Sequence, residues 1–153
     1  MQNSVTSDAL KSARTPYNPI VRRHMVEQCM LLTAGFENII DNAGDATGFK
    51  LRIRAPYFRG VWLTVISRIE LTVNGETFER DHLSIAYQGN TLSMDEVASA
   101  ESVHWDFGDA LTLQVNKPGG LVPGIQMVSL ELTLLPSHTP IIARSERMIT
   151  LVR

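Results

Sequence analysis

The sequence has few of the residues on which common metal and disulfide sites depend. Cys29 is the only cysteine among the 153 residues, which excludes an internal disulfide bond and any multi-cysteine zinc site. The four histidines, His24, His82, His104 and His138, lie far apart, and the motifs H-x-H, H-E-x-x-H and C-x-x-C are absent. Because a zinc or iron site needs three or four converging ligands, we predict no metal site within this chain.

The sequence also lacks an excess of charge and a long hydrophobic run. Lys and Arg total 14 against 16 for Asp and Glu, and the net charge of -2 provides no field that would attract a polyanion. No apolar run approaches the roughly 18 residues needed to cross a bilayer. The first twenty residues are polar and interrupted by Pro16 and Pro19, unlike a secretion signal. We therefore expect a cytoplasmic protein whose partners are neither nucleic acid nor membrane.

Motifs for phosphate binding and nucleophilic catalysis are missing too. G-x-x-x-x-G-K, G-x-G-x-x-G and G-x-S-x-G do not occur, and we interpret Cys29 as a buried, inert thiol. His104 and Asp106 stand two residues apart on a predicted strand, so both side chains project from one face. They could form an acid/base pair or belong to a solvated face with an incidental hydrogen bond. We predict no catalytic residue set and no cofactor in this chain.

The sequence is rich in alternating apolar and polar residues from Phe36 onward. A period of two, with Gly, Pro and Asn between the runs, is typical of strands separated by turns. The alternating stretches are 49–54, 68–73, 83–88, 103–107, 111–115 and 128–134, and the terminal run 148–152 could add an edge strand.

Turn and cap residues organise these stretches. Asn74-Gly75 suits a type I′ hairpin turn, and Gly89-Asn90 is a second turn signal. The turn at Gly108-Asp109 predicts a hairpin between stretches 103–107 and 111–115. Ser93 and Glu96 have the spacing of a capping box at the start of a short helix.

Many short strands with frequent turns favour two packed sheets. We predict an all-β fold, an antiparallel two-sheet β-sandwich with one short helix and an N-terminal extension. Residues 1–34 would form the extension or arm, and residues 35–153 the β-sandwich domain.

Two loops are candidate contact sites. Arg52, Arg54 and Arg59 cluster around the Pro56–Gly60 loop, and exposed Arg and aromatic residues are common anchors of protein interfaces. This loop could alternatively touch an anionic or sugar ligand. The second loop, Lys117–Gly120, has a glycine pair that permits close backbone approach or forms an ordinary turn.

The order of several motifs resembles the β subunit of bacterial C-glycoside deglycosidases over roughly Phe36 to Leu134. The motifs that carry the resemblance are Gly35–Ile40, Thr47–Phe49, Leu51–Arg54, Pro56–Gly60, His104–Asp109, Leu111–Val115, Lys117–Leu121 and Pro123-Gly124. Residues 1 to about 28 look like an extension to that pattern, and Leu135–Pro140 departs from its aromatic-containing segment.

The resemblance implies a β-sandwich subunit that pairs with a TIM-barrel α subunit. That partner would hold a divalent metal, Mn or Mg, and the catalytic base. The family reaction implied is β-elimination, which cleaves the C–C bond of 3-oxo-C-glycosides in the catabolism of flavonoid glycosides. The residues that the resemblance assigns to subunit contact or to roofing the substrate site are Tyr57, Phe58, Arg59, Gly60, Lys117, Pro118, Gly119 and Gly120.

Two other functions stay open. A stand-alone carbohydrate-binding β-sandwich module would need an exposed aromatic platform for stacking on sugar rings. A purely structural adaptor would hold the complex together without influence on the substrate.

Overall fold

The computed structural model describes residues 30–56, 59–136 and 138–153. Cys29 and residues 1–29 of the predicted extension 1–34 lie outside the described residues. Of the extension's described part, Met30 and Leu31 are fully buried against strand 46–54, where Met30 O accepts from Arg54 N at 2.8 Å. The division into 1–34 and 35–153 stays a prediction.

The described residues form eleven strands, one α-helix and two short 3-10 turns. The strands are β1 (Glu37–Ile40), β2 (Ala46–Arg54), β3 (Val61–Trp62), β4 (Ile66–Val73), β5 (Glu76–Phe78), β6 (Leu83–Tyr87), β7 (Asn90–Ser93), β8 (His104–Trp105), β9 (Ala110–Asn116), β10 (Gly124–Leu134) and β11 (Ile141–Leu151). The helix is α1 (Met94–Ala98), and the 3-10 turns are Leu63–Val65 and Arg80–His82. No helix in this part of the chain is long and apolar enough to span a bilayer.

The strands form a five-stranded sheet, a four-stranded sheet and a separate pair. The sheet orders are β1-β2-β9-β6-β7 and β11-β10-β4-β5, with β3 paired to β8. All these pairings are antiparallel. Buried side chains from both large sheets join in one hydrophobic cluster. The predicted all-β sandwich with one short helix is therefore confirmed.

The alternating pattern places the core side chains as predicted. In β2, Phe49, Leu51 and Ile53 are fully buried while Arg52 and Arg54 are exposed. The longest run, β10, buries four residues at every second position, Val128, Leu130, Leu132 and Leu134. The predicted terminal strand is part of β11, an edge strand that starts earlier, at Ile141.

Two hairpin turns each contain a pair of residues with positive φ. Asn74 (φ 50°) and Gly75 (φ 86°) join β4 to β5, as the type I′ signature predicted. The next tight turn has its positive φ angles at Gln88 and Gly89, one residue earlier than predicted, because Asn90 already pairs with Tyr87.

The predicted hairpin between stretches 103–107 and 111–115 is wrong. β8 pairs with β3 through Val61↔Trp105 and Trp62↔His104. β9 lies between β2 and β6, which occupy both of its hydrogen-bonding edges. The alternation also ends early, since Phe107 is 40% exposed beside a turn in which Asp109 N donates to Asp106 O at 3.1 Å.

The predicted capping box is confirmed at the start of α1. Ser93 Oγ accepts from Glu96 N at 3.2 Å, and the Glu96 carboxylate accepts from Ser93 N at 3.0 Å. The helix packs Met94 and Val97 into the core.

Candidate functional site

The Pro56–Gly60 loop leads directly into the β3–β8 pair at one end of the sandwich. Gly60 has φ 69°, and a Cβ placed there would lie 2.3 Å from Trp105 O and 2.8 Å from His104 Cε1. Only glycine fits this close approach without displacing the backbone of β8. Gly60, the last residue of the loop, therefore lies beside the His104–Asp106 segment, a proximity that the sequence did not predict.

His104 and Asp106 form the hydrogen bond that their spacing allowed. Nδ1 of His104 lies 2.6 Å from Oδ1 of Asp106, and the His104 side chain is 31% exposed. The indole of Trp62, on the paired strand, meets the imidazole edge to face with ring centroids 4.8 Å apart. These contacts fix the ring plane of His104 and leave part of it accessible to solvent.

The hydroxyl of the buried Tyr87 supports the His104–Asp106 pair through hydrogen bonds to the neighbouring chain. Tyr87 OH accepts from Asp106 N at 3.1 Å and donates to Oδ2 of Asp109 at 3.0 Å. Burial raises the pKa of the Tyr87 phenol, and the adjacent Asp109 carboxylate raises it further. The carbonyl of Asp109 also accepts from Trp105 Nε1 at 3.1 Å. The segment 104–109 is therefore tied to β6 as well as to β3.

We call Trp62, Tyr87, His104, Asp106 and Asp109 the dyad cluster. It also marks the end of the molecule where aromatic rings are exposed. Trp62 is 49% and Phe107 40% exposed, whereas the other aromatic residues of the described chain are buried. An imidazole hydrogen-bonded to a carboxylate can transfer protons or bind a polar ligand group, and the neighbouring rings can stack on a flat or apolar one.

The arginines predicted to cluster here are distributed along β2 and the loop. Arg59 is exposed in the loop, and Arg54 is exposed at the end of β2. Arg52 lies further down the strand, where a Cβ at Gly35 would come within 2.6 Å of its Cδ. Tyr57 and Phe58 lie outside the described residues.

The second predicted loop, Lys117–Gly120, uses its polar groups within the fold. Gly119 N donates to Ala46 O at 2.9 Å, and Lys117 N donates to Thr47 O at 3.1 Å. The Lys117 ammonium lies 2.8 Å from Glu76 Oε1 and 5.9 Å from the centre of the Phe78 ring.

The glycine pair of this loop serves both of the roles that the sequence left open. Gly120 has φ 63°, and a Cβ there would lie 2.5 Å from Asn38 Oδ1. The Asn38 amide accepts from Leu121 N and donates to Leu121 O, each at 2.8 Å. Gly119 (φ 86°) has open space where a Cβ would stand. The pair thus makes a turn and lets one glycine approach β1 closely.

The two predicted loops lie at opposite ends of the β2–β9 pair. Arg54, just before the first loop, pairs with Ala110, whereas Gly48 pairs with Asn116, just before the second. Six residues of strand span about 20 Å. The sequence did not reveal this separation, because it did not show that β2 and β9 are neighbours.

Other surface features lie away from the dyad cluster. A shallow cleft of about 380 Å³ is lined by Asp81, His82, Ser84, Gln114 and Asn116, among other residues. On the outer face of the four-stranded sheet, Ile125, Met127 and Met148 are exposed, and Met127 pairs with Met148. Within residues 30–56, 59–136 and 138–153, no group of three or more His, Cys, Asp or Glu side chains could hold a metal ion.

Sequence reasoning missed Trp62 and Tyr87. Trp62 belongs to a two-residue strand, which is too short to show a period. Tyr87 was assigned to the core from its alternation, and it is buried as predicted, but its hydroxyl partners come from residues about 20 positions away. The one sequence signal available was a tryptophan two residues after a glycine, in Gly60-Val61-Trp62.

Comparison with known proteins yields one family. A family model described as C-glycoside deglycosidase beta subunit matches residues 26–138, well over half of the chain. A C-glycoside deglycosidase beta subunit from Eubacterium cellulosolvens is 30% identical over 115 residues, which cover 75% of this chain and 78% of that protein. One from Arthrobacter globiformis is 28% identical over 76 residues, covering 50% of this chain and 52% of that protein.

Proposed function

Because the chain belongs to the C-glycoside deglycosidase beta subunit family, as its motif order predicted, we propose that it is the accessory subunit of a heteromeric C-glycoside deglycosidase. The main support for this proposal is the family match across residues 26–138. The matched range includes the Pro56–Gly60 loop, the segment 104–109 and the Lys117–Gly120 turn. A beta subunit requires a partner subunit, and we propose a TIM-barrel α subunit.

The proposed reaction is β-elimination on a 3-oxo-C-glycoside. The ketone acidifies the C–H bond of the neighbouring sugar carbon, a base removes that proton, and the carbon-linked aglycone leaves from the adjacent anomeric carbon. The enzyme is then a carbon–carbon lyase of flavonoid glycoside catabolism rather than a hydrolase. The base would belong to the α subunit.

The divalent metal of the proposed enzyme, Mn or Mg, is assigned to the α subunit on the family resemblance alone. When bound, such an ion polarises the ketone oxygen and stabilises the charge that develops there. The contribution of this chain is to pack on the partner and to shape the site from outside.

The end of the molecule that holds the dyad cluster is the end that we expect to face the α subunit. The Pro56–Gly60 loop, the exposed ring of Trp62 and the exposed Arg59 lie together at this end. Arginine and aromatic residues are the side chains most enriched at the energetic centres of protein interfaces. We therefore place the partner's substrate site next to this loop, and the Lys117–Gly120 turn about 20 Å away toward the margin of the contact.

Co-expression with a barrel-type partner tests the proposal. This chain alone should leave a 3-oxo-C-glycoside intact, and the co-purified complex should release the aglycone. A chain that stays monomeric beside that partner, or a complex without turnover, would contradict the proposal.

Arg59 separates a roofing role from a purely structural one. We expect Arg59→Ala to lower turnover in a complex that still assembles, because the guanidinium lies in the loop we place over the substrate. Arg144→Ala is a matched control, since Arg144 is exposed on β11 and pairs with Glu131 at 2.7 Å. Unchanged turnover in both complexes would favour the adaptor.

The carbohydrate-binding alternative is supported by the exposed rings of Trp62 and Phe107. A binding module would take up sugar without any second chain. Titration calorimetry of this chain alone with oligosaccharides should show no heat of binding under our proposal, and saturable heat would favour the module.

A further inference from the structure

We propose that His104 of this subunit is a catalytic residue of the complex, the general acid that protonates the departing aglycone, and that Asp106 is its positioning residue. The inference rests on the proposed function and adds to it a chemical role for a chain that otherwise only shapes the site. It follows from four features of the dyad cluster, taken in turn.

The first feature is the orientation of the imidazole. With Nδ1 held 2.6 Å from the Asp106 carboxylate, Nδ1 carries a proton and Nε2 becomes the nitrogen that exchanges one. No described residue forms a hydrogen bond with Nε2. The ring therefore presents its reactive nitrogen away from its carboxylate, as the oriented histidine of a catalytic pair does.

The second feature is the anchoring of the Asp106 backbone. The backbone of Asp106 donates to the buried Tyr87 hydroxyl at 3.1 Å, and the chain turns back at Asp109, whose N donates to Asp106 O at 3.1 Å. A proton donor must be held within about 0.5 Å of its productive position. The anchored backbone of Asp106 limits the positions that its carboxylate, which is 61% exposed, and the bound imidazole can take.

The third feature is the partial exposure of the ring. The His104 side chain is 31% exposed, although the backbone of Gly60 approaches it so closely that a Cβ at position 60 would lie 2.8 Å from Cε1. The fourth feature is the ring of Trp62, 49% exposed and 4.8 Å from the imidazole. A flat aromatic aglycone can stack there with its edge near Nε2.

The reaction requires a proton at that place. When the partner's base takes the proton from the carbon next to the ketone, those electrons form a double bond to the anomeric carbon. The bond from the anomeric carbon to the aglycone breaks, and its electron pair stays on the aglycone carbon. Nε2 of the His104 imidazolium gives its proton to that carbon and becomes neutral, so charge and atoms balance.

The test compares leaving groups in the assembled complex. His104→Gln and Asp106→Asn would be measured against wild type on a series of 3-oxo-C-glycosides whose aglycones differ in basicity. His82→Gln is the control, because His82 is an exposed histidine that also meets an aromatic ring edge to face, that of Phe78 at 6.4 Å.

General acid catalysis contributes about 100-fold to 10,000-fold, so kcat of His104→Gln should fall by about 100-fold or more on the most basic aglycone. The loss should shrink as the aglycone becomes less basic, since a better leaving group needs less protonation. Asp106→Asn should show the same trend with a smaller loss, and His82→Gln should match wild type.

Two results would overturn the inference. One is an equal loss of kcat across the whole series, which is the behaviour of a residue that only supports structure. The other is wild-type turnover of a His104→Gln complex. If His104→Gln does not assemble, Asp106→Asn, which retains the imidazole, gives the same comparison. Inactivity of the wild-type complex on every glycoside would instead refute the proposed function.

Discussion

The close approach of Gly60 to β8 can be tested by adding a single methyl group. Gly60→Ala requires an L side chain at φ 69° and places Cβ 2.3 Å from Trp105 O. Gly75→Ala has a comparable φ of 86°, but nothing lies within 4 Å of its added Cβ. The pair of variants therefore shares the backbone strain and differs in the collision.

The expected magnitudes separate the two variants. A left-handed backbone costs a non-glycine residue about 1–2 kcal/mol, and this should be the whole loss in Gly75→Ala. Overpacking adds about 1–3 kcal/mol in Gly60→Ala, because the atom in the way is a backbone carbonyl of the β3–β8 pair. At a typical urea m-value of about 2 kcal/mol per M, the midpoints should differ by roughly 0.5–1.5 M.

Tryptophan fluorescence during urea unfolding is the suitable assay. The chain has two tryptophans, Trp62 and Trp105, and both belong to the β3–β8 pair that Gly60 contacts. In the assembled complex, Gly60→Ala should also lower turnover more than Gly75→Ala, since it displaces His104. Equal midpoints for the two variants would refute the reasoning, because the Trp105 carbonyl would then move aside at no cost.

Three further predictions concern the supports of the fold. Asn38→Ala removes both amide hydrogen bonds to Leu121, and the free energy of unfolding measured in urea should fall by about 2 kcal/mol. The Ser93 backbone N–H donates to the Glu96 carboxylate and lowers its pKa. The stability that this carboxylate contributes is therefore present above the ordinary glutamate pKa and is lost as pH falls through the lowered pKa. Glu96→Gln should make the melting temperature less dependent on pH in the acid range. Burial raises the pKa of the Tyr87 phenol. The stability that the protonated phenol contributes is therefore present below the ordinary phenol pKa and is lost as pH rises through the raised pKa. Tyr87→Phe should abolish this loss of stability and also the phenolate absorbance that appears at the raised pKa.

Residue alternation predicted the sheets well because one face of each long strand is buried. β10 follows the pattern over its buried half, and the Asn74-Gly75 turn needs φ angles that few other residue pairs adopt. These signals are local, so a single sequence contains them. The sandwich architecture followed from their number and spacing.

The partners of the short strands could not be predicted in this way. β3 and β8 have two residues each and lie more than 40 positions apart, so neither shows a period that fixes its neighbour. The turn signal at Gly108 suggested a local hairpin between β8 and β9 instead. That hairpin does not form, because β2 and β6 occupy both edges of β9, and β8 pairs with β3. Since the dyad cluster is assembled by this pair, its parts were visible in the sequence only as separate residues.

The two predicted loops differ in what they leave for a partner. In the Lys117–Gly120 turn, the backbone amides and the lysine ammonium are bound within the chain, so this loop mainly holds β1, β2 and β9 in register. At the other end, the imidazole of His104 and the ring of Trp62 remain partly exposed after their internal contacts are made. A standard interface of about 800 Å² on each partner is roughly 30 Å across, wide enough to cover both loops. A substrate site is much smaller, and among the two loops only the dyad cluster end has side chains able to act on what the partner binds.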